Sequence, residues 1–285
     1  MEVLCGLFGI SRQAHFQHTK NEYKQRVENE VVLGFVRKIK SRQNKIGVRS
    51  LLLHINERLY HKSGIKIGRD ALFDLLREHN LLVRRRRKQV KTTDSNHHFR
   101  KYPNIIREYV PTGINQLFVS DLTYIDTEEG YMYLFLITDA FSRKIVGYYL
   151  GETMEAFGAI EALKQAIGQI TDGAMPIHHS DRGAQYASME YVRILQERGM
   201  IISMTENGNP LENCMAERVN GLVKDLINSV FKTKLEAMIT MPTIISIYNT
   251  ERKHGSIGML TPEQAHSSNR VLKNCWKKTP AIASV

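Results

Sequence analysis

Residues 116–150 read QLFVSDLTYIDTEEGYMYLFLITDAFSRKIVGYYL. This stretch contains three runs rich in β-branched and aromatic residues, separated by turn residues at Glu129-Gly130 and at Ser142-Arg143. Such runs, bounded by such turns, predict a three-stranded meander.

The chain after this meander alternates between helical and strand patterns. Thr153–Ile170 carries apolar residues at helical spacing, and a short strand from Met175 to His179 follows. Further elements are predicted at 189–198 (helix), 201–204 (strand), from 209 to about 231 (helix) and at 239–254 (helix). From the first strand of the meander to the helix that ends near 231, the elements follow the order β-β-β-α-β-α-β-α. This order predicts an α/β fold, in which helices pack on a mixed five-stranded sheet.

Three acidic residues occupy positions that such a sheet can bring together. Asp121 lies near the middle of the first strand, among apolar residues, where a lone charge needs a partner or a metal. Asp181 directly follows the fourth strand, which lies beside the first in this fold type. Glu217 lies on the helix after residue 210, on a flank shared with Asn213 and Asn220. Three converging carboxylates suit Mg²⁺ or Mn²⁺, and two such ions support phosphodiester chemistry.

Each of these residues also has a plain structural interpretation. Asp121 could cap a bulge, Asp181 could be a turn aspartate, and Glu217 could pair with a nearby cation. Glu206 and Glu212 are competing candidates for the third carboxylate. The joint occurrence of all three carboxylates in this order of elements favours the catalytic interpretation.

The net positive charge of the chain comes entirely from its first part. Residues 1–110 contain 24 Lys and Arg against 10 Asp and Glu, a net charge of +14, whereas the rest carries −3. Such a local excess indicates a polyanion such as DNA. A membrane is disfavoured because no amphipathic anchor and no apolar run of about 20 residues is present. The first residues do not read as a signal peptide, so we expect a cytoplasmic protein.

Residues 1–83 predict short helices separated by glycines. The helices are expected at 11–15, 27–39, 48–59 and 71–82, and the first follows a turn at Gly9. A basic region of this kind fits a helix-turn-helix DNA reader, although a plain helical bundle would show the same periodicity. Residues 84–110 read as a basic linker. The cysteines are too far apart for a disulfide framework or a Cys-x-x-Cys zinc site: Cys5, Cys214 and Cys275.

Several motifs together resemble one protein family. Three of them lie in the sheet region: Asp121-Leu122-Thr123-Tyr124, His179-Ser180-Asp181-Arg182-Gly183-Ala184-Gln185-Tyr186 and Asn213-Cys214-Met215-Ala216-Glu217. They resemble the retroviral-integrase-like core of bacterial insertion-sequence transposases, specifically the OrfB product of the IS-three family, and the 36 positions from Asp181 to Glu217 match its spacing. Residues 248–258 with Thr261-Pro262-Glu263 resemble its C-terminal signature, and residues 46–49 its N-terminal region.

This resemblance implies a ribonuclease-H-like catalytic core and a DDE transposase that cleaves DNA ends and transfers strands. It assigns the metal ligands, for two Mg²⁺ or Mn²⁺ ions, to Asp121, Asp181 and Glu217. It assigns active-site neighbours to Thr123, His179, Gln185, Tyr186 and Asn213. With the charge pattern, it suggests DNA contacts at Arg49, Arg84, Arg85, Arg86, Arg87, Lys88, Arg252 and His254, with helix packing as the alternative for the last two.

The implied partners are double-stranded DNA, as element ends and as target, and further copies of the chain. Family members are usually made as a fusion with an upstream-frame product by frameshifting, and a DNA-bound chain would lie at the nucleoid. The implied domains are a helix-turn-helix region at 1–83, a linker at 84–110, the core at 111–236 and a C-terminal helical segment with a basic tail at 237–285.

Two other functions remain open on sequence grounds. The chain could be a nuclease of the same fold that cuts without joining, or a non-catalytic DNA-binding regulator from a decayed element. A retroviral type of integrase is disfavoured, because the adjacent His97 and His98 have no cysteine partners nearby for a zinc site.

Overall fold

The computed structural model describes residues 9, 11–83, 99–171, 173–206 and 213–268. The chain forms two compact units, Met1–Arg86 and Arg87–Val285. Each unit has its own hydrophobic core.

The described residues of the N-terminal unit form three helices: α1 (Arg12–Arg42), α2 (Val48–Ser63) and α3 (Arg69–Glu78). Their core consists mainly of aliphatic residues, among them Val32, Leu33, Val36, Leu51, Ile55, Leu72 and Leu76. The predicted helical character of this region is confirmed. A helix-turn-helix role for α2 and α3 stays a prediction.

The first helix differs from the prediction of two shorter ones. It begins after Ser11, whose side chain accepts a hydrogen bond from the Ala14 N–H (3.0 Å), and it continues for 31 residues. Residues 16–26 contain neither glycine nor proline, so nothing in the chain breaks the helix there. The predicted turn at Gly9 is present, with φ +65°, and residues 1–8 lie outside the described residues.

The larger unit is built on a mixed sheet of five strands. Its strands are β1 (Leu117–Thr127), β2 (Gly130–Asp139), β3 (Ile145–Gly151), β4 (Ile177–Ser180) and β5 (Ile201–Met204). They lie in the order β3-β2-β1-β4-β5, with β1 to β3 antiparallel and β4 parallel to both β1 and β5. The predicted meander and the predicted contact between the first and fourth strands are confirmed.

Helices cover both faces of this sheet. One face carries α4 (Ala156–Ile167), α5 (Ala184–Ala187) and α6 (Met189–Glu197), and the other carries α7 (Cys214–Lys224) and α8 (Lys234–Thr250). A short helix, α9 (Pro262–His266), begins at the capping box of Thr261. Helix α4 packs closely on β3 at Gly147, which has no side chain. A Cβ at this position would lie 2.0 Å from the carbonyl oxygen of Ala162.

The helix predicted to reach residue 231 ends earlier. Helix α7 stops at Lys224, and Phe231 instead forms a parallel bridge with Thr127 of β1. Asn228 and Ser229 lie between them, and both residue types favour turns over helix interiors. Leu226 and Phe231 are buried in the core beneath α8, so this segment closes one end of the sheet.

Candidate active site

Strand pairing places two of the three carboxylates next to each other. The parallel register of β1 and β4 runs from Leu117 opposite Ile177 to Ser120 opposite Ser180. Asp121 and Asp181 are the next residues on the two strands. Their backbones therefore lie side by side at the carboxyl end of β4, which is the arrangement expected from the sequence.

Helix α7 is attached to the same part of β1 by two asparagines. Asn220 Nδ2 donates a hydrogen bond to Asp121 Oδ2 at 2.8 Å, and Asn213 Nδ2 donates to the carbonyl oxygen of Ser120 at 3.2 Å. Ala216 packs in an apolar cluster with Val119. Because Glu217 lies between these contacts on α7, it is held on the helix that covers Asp121.

The electrostatics of the three carboxylates are coupled. The pKa of Asp121 lies well above its ordinary value, first because the carboxyl is buried and then because Asp181 and Glu217 add negative charge. The hydrogen bond from Asn220 acts in the opposite direction. The pKa of Glu217 is raised by partial burial. The site thus adds negative charge around the buried Asp121 carboxyl, which is what a bound cation would relieve.

The three carboxylates do not form a preformed metal-binding site. Across the part of the chain that the structure describes, no three His, Cys, Asp or Glu side chains form a complete metal-binding cluster. Repulsion between like charges opposes closer approach of the three carboxylates. The all-oxygen donor set still fits a hard divalent cation, and the excess of negative charge at Asp121 fits its charge.

Asp181 is also a turn residue, which was the structural interpretation that the sequence left open for it. Its Oδ1 accepts a hydrogen bond from the Gly183 N–H at 3.0 Å. A Cβ at Gly183 would lie 2.6 Å from Gln185 Nε2 and 3.0 Å from Asp181 Oδ1, so both side chains lie close to this turn. This turn fixes the Asp181 carboxylate and brings the predicted neighbour Gln185 to it.

The two histidines of β4 face opposite sides of the sheet. His178 Nε2 hydrogen bonds with the hydroxyls of Ser120 (2.7 Å) and Tyr191 (2.8 Å). Burial lowers the pKa of His178 to about 3, so its ring is neutral. His179 Nδ1 hydrogen bonds with Ser203 Oγ of β5 at 2.9 Å. Both rings therefore tie β4 to a neighbouring element.

Two other predicted neighbours are buried close to the carboxylates. Thr123 is 9% exposed and lies two residues after Asp121 on β1. Tyr186 is 2% exposed, and burial, with a further contribution from Asp121 and Asp181, raises its pKa well above the ordinary value.

The C-terminal signature lies mainly in the core. Tyr248 donates its hydroxyl hydrogen to the carbonyl oxygen of Arg143 at 3.1 Å. Asn249 makes two hydrogen bonds with the backbone of Ile145, one to each polar group and both at 3.0 Å. These contacts fasten the start of β3 to α8. Sequence reasoning missed them, because side-chain pairing between distant elements leaves no periodic signal.

His254, for which the sequence left DNA contact and helix packing open, lies in the core. It is 8% exposed, and its ring lies edge-on to Tyr248 with the centroids 5.1 Å apart. Burial, reinforced by Arg252 and Arg143, lowers the pKa of His254 to about 3. A buried neutral ring is unsuited to contacting a phosphate, so the structure supports the packing alternative.

The remaining predicted DNA contacts are placed as follows. Arg49 is exposed at the second residue of α2, and Arg252 is half-buried near His254. Five lie outside the described residues: Arg84, Arg85, Arg86, Arg87 and Lys88.

The competing glutamates and the cysteines are also placed in part. Glu206 forms an ion pair with Arg107 at 2.8 Å, while Glu212 lies outside the described residues. Cys214 is exposed at the start of α7, and Cys5 and Cys275 lie outside the described residues. Among the helices described, none is both long enough and apolar enough to cross a bilayer.

Comparison with known proteins identifies relatives along most of the chain. Residues 111–210 match a family described as Integrase core domain, and residues 198–262 match a second family of that description. A 31 kDa uncharacterised protein of insertion element IS600 from Shigella sonnei is 35% identical over 91% of this chain and 96% of its own length. The transposase for IS629 from Shigella sonnei is 31% identical (73% of this chain, 70% of its own), and the transposase for IS904 from Lactococcus lactis is 30% identical (86% and 97%). With the five-stranded sheet, these matches confirm the predicted ribonuclease-H-like core.

Proposed function

The chain belongs to the DNA transposases of insertion sequences that carry an integrase core domain, and on this premise we propose that Asp121, Asp181 and Glu217 are its catalytic metal ligands. The observation that carries the proposal is the pairing of β1 with β4, which sets two carboxylates side by side beneath the helix that bears the third. The coupling of Asp121 to both other carboxylates supports the same assignment.

The proposed ions are Mg²⁺ or Mn²⁺, two in number, because all three ligands offer oxygen and the reaction transfers a phosphodiester. When bound, such ions would align an attacking oxygen with phosphorus and stabilise the leaving oxygen. The chain itself supplies the positioning. Asn220 orients Asp121, the Gly183 turn orients Asp181, and Asn213 anchors the start of α7.

The proposed reaction is cleavage of the element ends followed by strand transfer into target DNA. The excess of 14 positive charges in residues 1–110 supports recognition of the ends by the N-terminal region. We assign the chain to the IS-three family as an OrfB-type product that acts on nucleoid DNA as a homo-oligomer, with an upstream-frame product joined by frameshifting. The proposed domains are 1–83, 84–110, 111–236 and 237–285.

The test is a cleavage and joining assay on a labelled element end with Mg²⁺. We expect Glu217→Gln to abolish both cleavage and strand transfer while leaving DNA binding and folding nearly intact. Glu190→Gln makes the same chemical change on the exposed first turn of α6 and should keep full activity. Cleavage that persists in Glu217→Gln would show that another residue is the third ligand.

The same assay separates the alternative functions. A wild-type chain that cuts the labelled end but never joins it to target DNA would be a nuclease. A chain that binds the end and does neither, with any divalent cation, would be a non-catalytic regulator.

A further inference from the structure

Helix α8 carries no charge along most of its length, although only one of its sides lies in the core. None of the 14 residues from 237 to 250 is charged. One side of the helix packs in the core between α8 and the sheet, through residues such as Ala237, Met241 and Tyr248. A helix that is apolar on every side is typical of a fully buried element, so the open side of α8 calls for a covering surface.

The open side of α8 carries a continuous apolar stripe. Leu235 is 65% exposed, Met238 is 45% exposed and Ile239 is 68% exposed, and Pro242 is exposed as well. These four residues follow the spacing i, i+3, i+4, i+7, so they lie on one face of the helix in adjacent turns. They form the α8 stripe. Single exposed apolar residues are ordinary on a protein surface, whereas a continuous apolar stripe marks an interaction site.

The charges around the α8 stripe indicate what kind of partner fits it. No Lys or Arg occurs from 235 to 250, so this face has no cation to neutralise a DNA phosphate. Lys234, at the start of the helix, is already paired with Glu152 at 2.6 Å. Glu236 accepts a hydrogen bond from the backbone N–H of Lys232 at 2.7 Å, at the start of the same helix. The partner must therefore offer an uncharged, apolar surface, as the centres of protein interfaces do.

The α8 stripe itself is such a surface, because it is complementary to a second copy of itself. In an antiparallel pair of α8 helices, the two-fold axis can pass between Met238 and Ile239. Met238 then faces Ile239 of the second copy, and Leu235 faces Pro242. Every position of the stripe meets an apolar residue, and no charged residue enters its centre.

We propose that the α8 stripe is the surface through which two copies of this chain associate, with their α8 helices antiparallel. This inference rests on the proposed function as a homo-oligomer and names the surface that forms it. The stripe is only about two turns long, so the interface belongs to the class that buries less than about 1,200 Å² in total. We therefore expect reversible association with a dissociation constant in roughly the micromolar range.

The test is sedimentation of the full chain over a concentration series of about 1 to 100 µM, without metal or DNA. Met238→Glu should weaken association by about a hundredfold or more, because a two-fold interface contains the buried charge twice. Met189→Glu makes the same change at a methionine that is 83% exposed at the start of α6, and it should associate like the wild type. Thermal melting of the variants checks that each is folded.

A charge swap tests the two-fold geometry and does not depend on the stability of one variant. Met238→Lys alone should be as poorly associated as Met238→Glu. A mixture of the two should recover dimers, because the axis beside Met238 brings the opposite charges together. A mixture that stays monomeric would overturn the symmetric pairing.

Two further results would overturn the inference. A wild-type chain that is monomeric over the whole concentration series would show that another partner covers the stripe. Equal association of Met238→Glu and Met189→Glu would place the contact between copies elsewhere. Because no metal or DNA is present, a chain that associates as expected but neither cleaves nor joins DNA would contradict only the proposed function.

Discussion

At the scale of one residue, the placement of the Asp121 carboxyl lowers the stability of the fold. Its carboxylate is desolvated beside two others, and its raised pKa reflects both effects. Two hydrogen bonds partly offset them, one from the backbone of Leu122 and one from the side chain of Asn220. An apolar residue at this position would suit the strand better, so the carboxylate is explained by chemistry and not by stability.

His254 leads to a prediction about pH at the same scale. Its pKa is about 3 in the folded chain and about 6.5 when unfolded, so the unfolded chain binds the extra proton more readily. The stability that depends on a neutral His254 is complete above pH about 6.5 and is lost as the pH falls toward 3. Lowering the pH from 7 to 5 should reduce the unfolding free energy of the wild type by about 2 kcal/mol more than that of His254→Phe. Denaturant unfolding at the two pH values measures this difference.

A control for this prediction is His61→Phe, which changes an exposed histidine on α2. It should leave the pH dependence of unfolding unchanged. Equal pH dependence in the wild type and in His254→Phe would mean that the ring is not held neutral in the core.

Asn249 acts at the scale of elements, because its amide joins α8 to the start of β3. It satisfies both the N–H and the C=O of Ile145, and the residue is 9% exposed. Asn249→Leu keeps the branched shape of the side chain but leaves two buried backbone groups without partners, so we expect a loss of roughly 3 kcal/mol in unfolding free energy. Thr250→Ala, the adjacent exposed position, should change stability by less than about 0.5 kcal/mol. Similar stability of the two variants would show that the amide clamp contributes little.

The elements also show how far the sequence could predict this structure. Runs of β-branched and aromatic residues, together with turn residues, predicted the meander, and the order of elements predicted that Asp121 and Asp181 would lie together. Glycines and polar residues were weaker guides. They suggested two short helices where α1 is continuous, and they did not reveal that α7 stops at Lys224. The contacts of Asn220 and Asn249 could not be predicted, since they depend on the spacing between packed elements.

At the scale of the whole molecule, the charge is divided between a basic first part and a weakly acidic remainder. We expect residues 1–110 alone to bind DNA and to prefer the element's own ends. Binding should weaken with salt along a log-log slope of about −0.9 for each phosphate contacted, and Arg49→Ala should reduce that slope by about one contact. Fluorescence anisotropy over a salt series measures both quantities, with residues 111–285 as the control fragment. Equal affinity of residues 1–110 for all sequences at physiological salt would leave them only a non-specific clamp.

The separate cores of the two compact units have a consequence for how such enzymes diversify. Substitutions that repack α1, α2 and α3 need no matching change around the five-stranded sheet, because the two sets of buried residues are distinct. The recognition of DNA ends and the catalytic activity can therefore evolve at different rates. A chimaera that carries the first unit of one relative and the sheet of another should fold, and it should inherit its choice of DNA ends from the first parent and its turnover from the second.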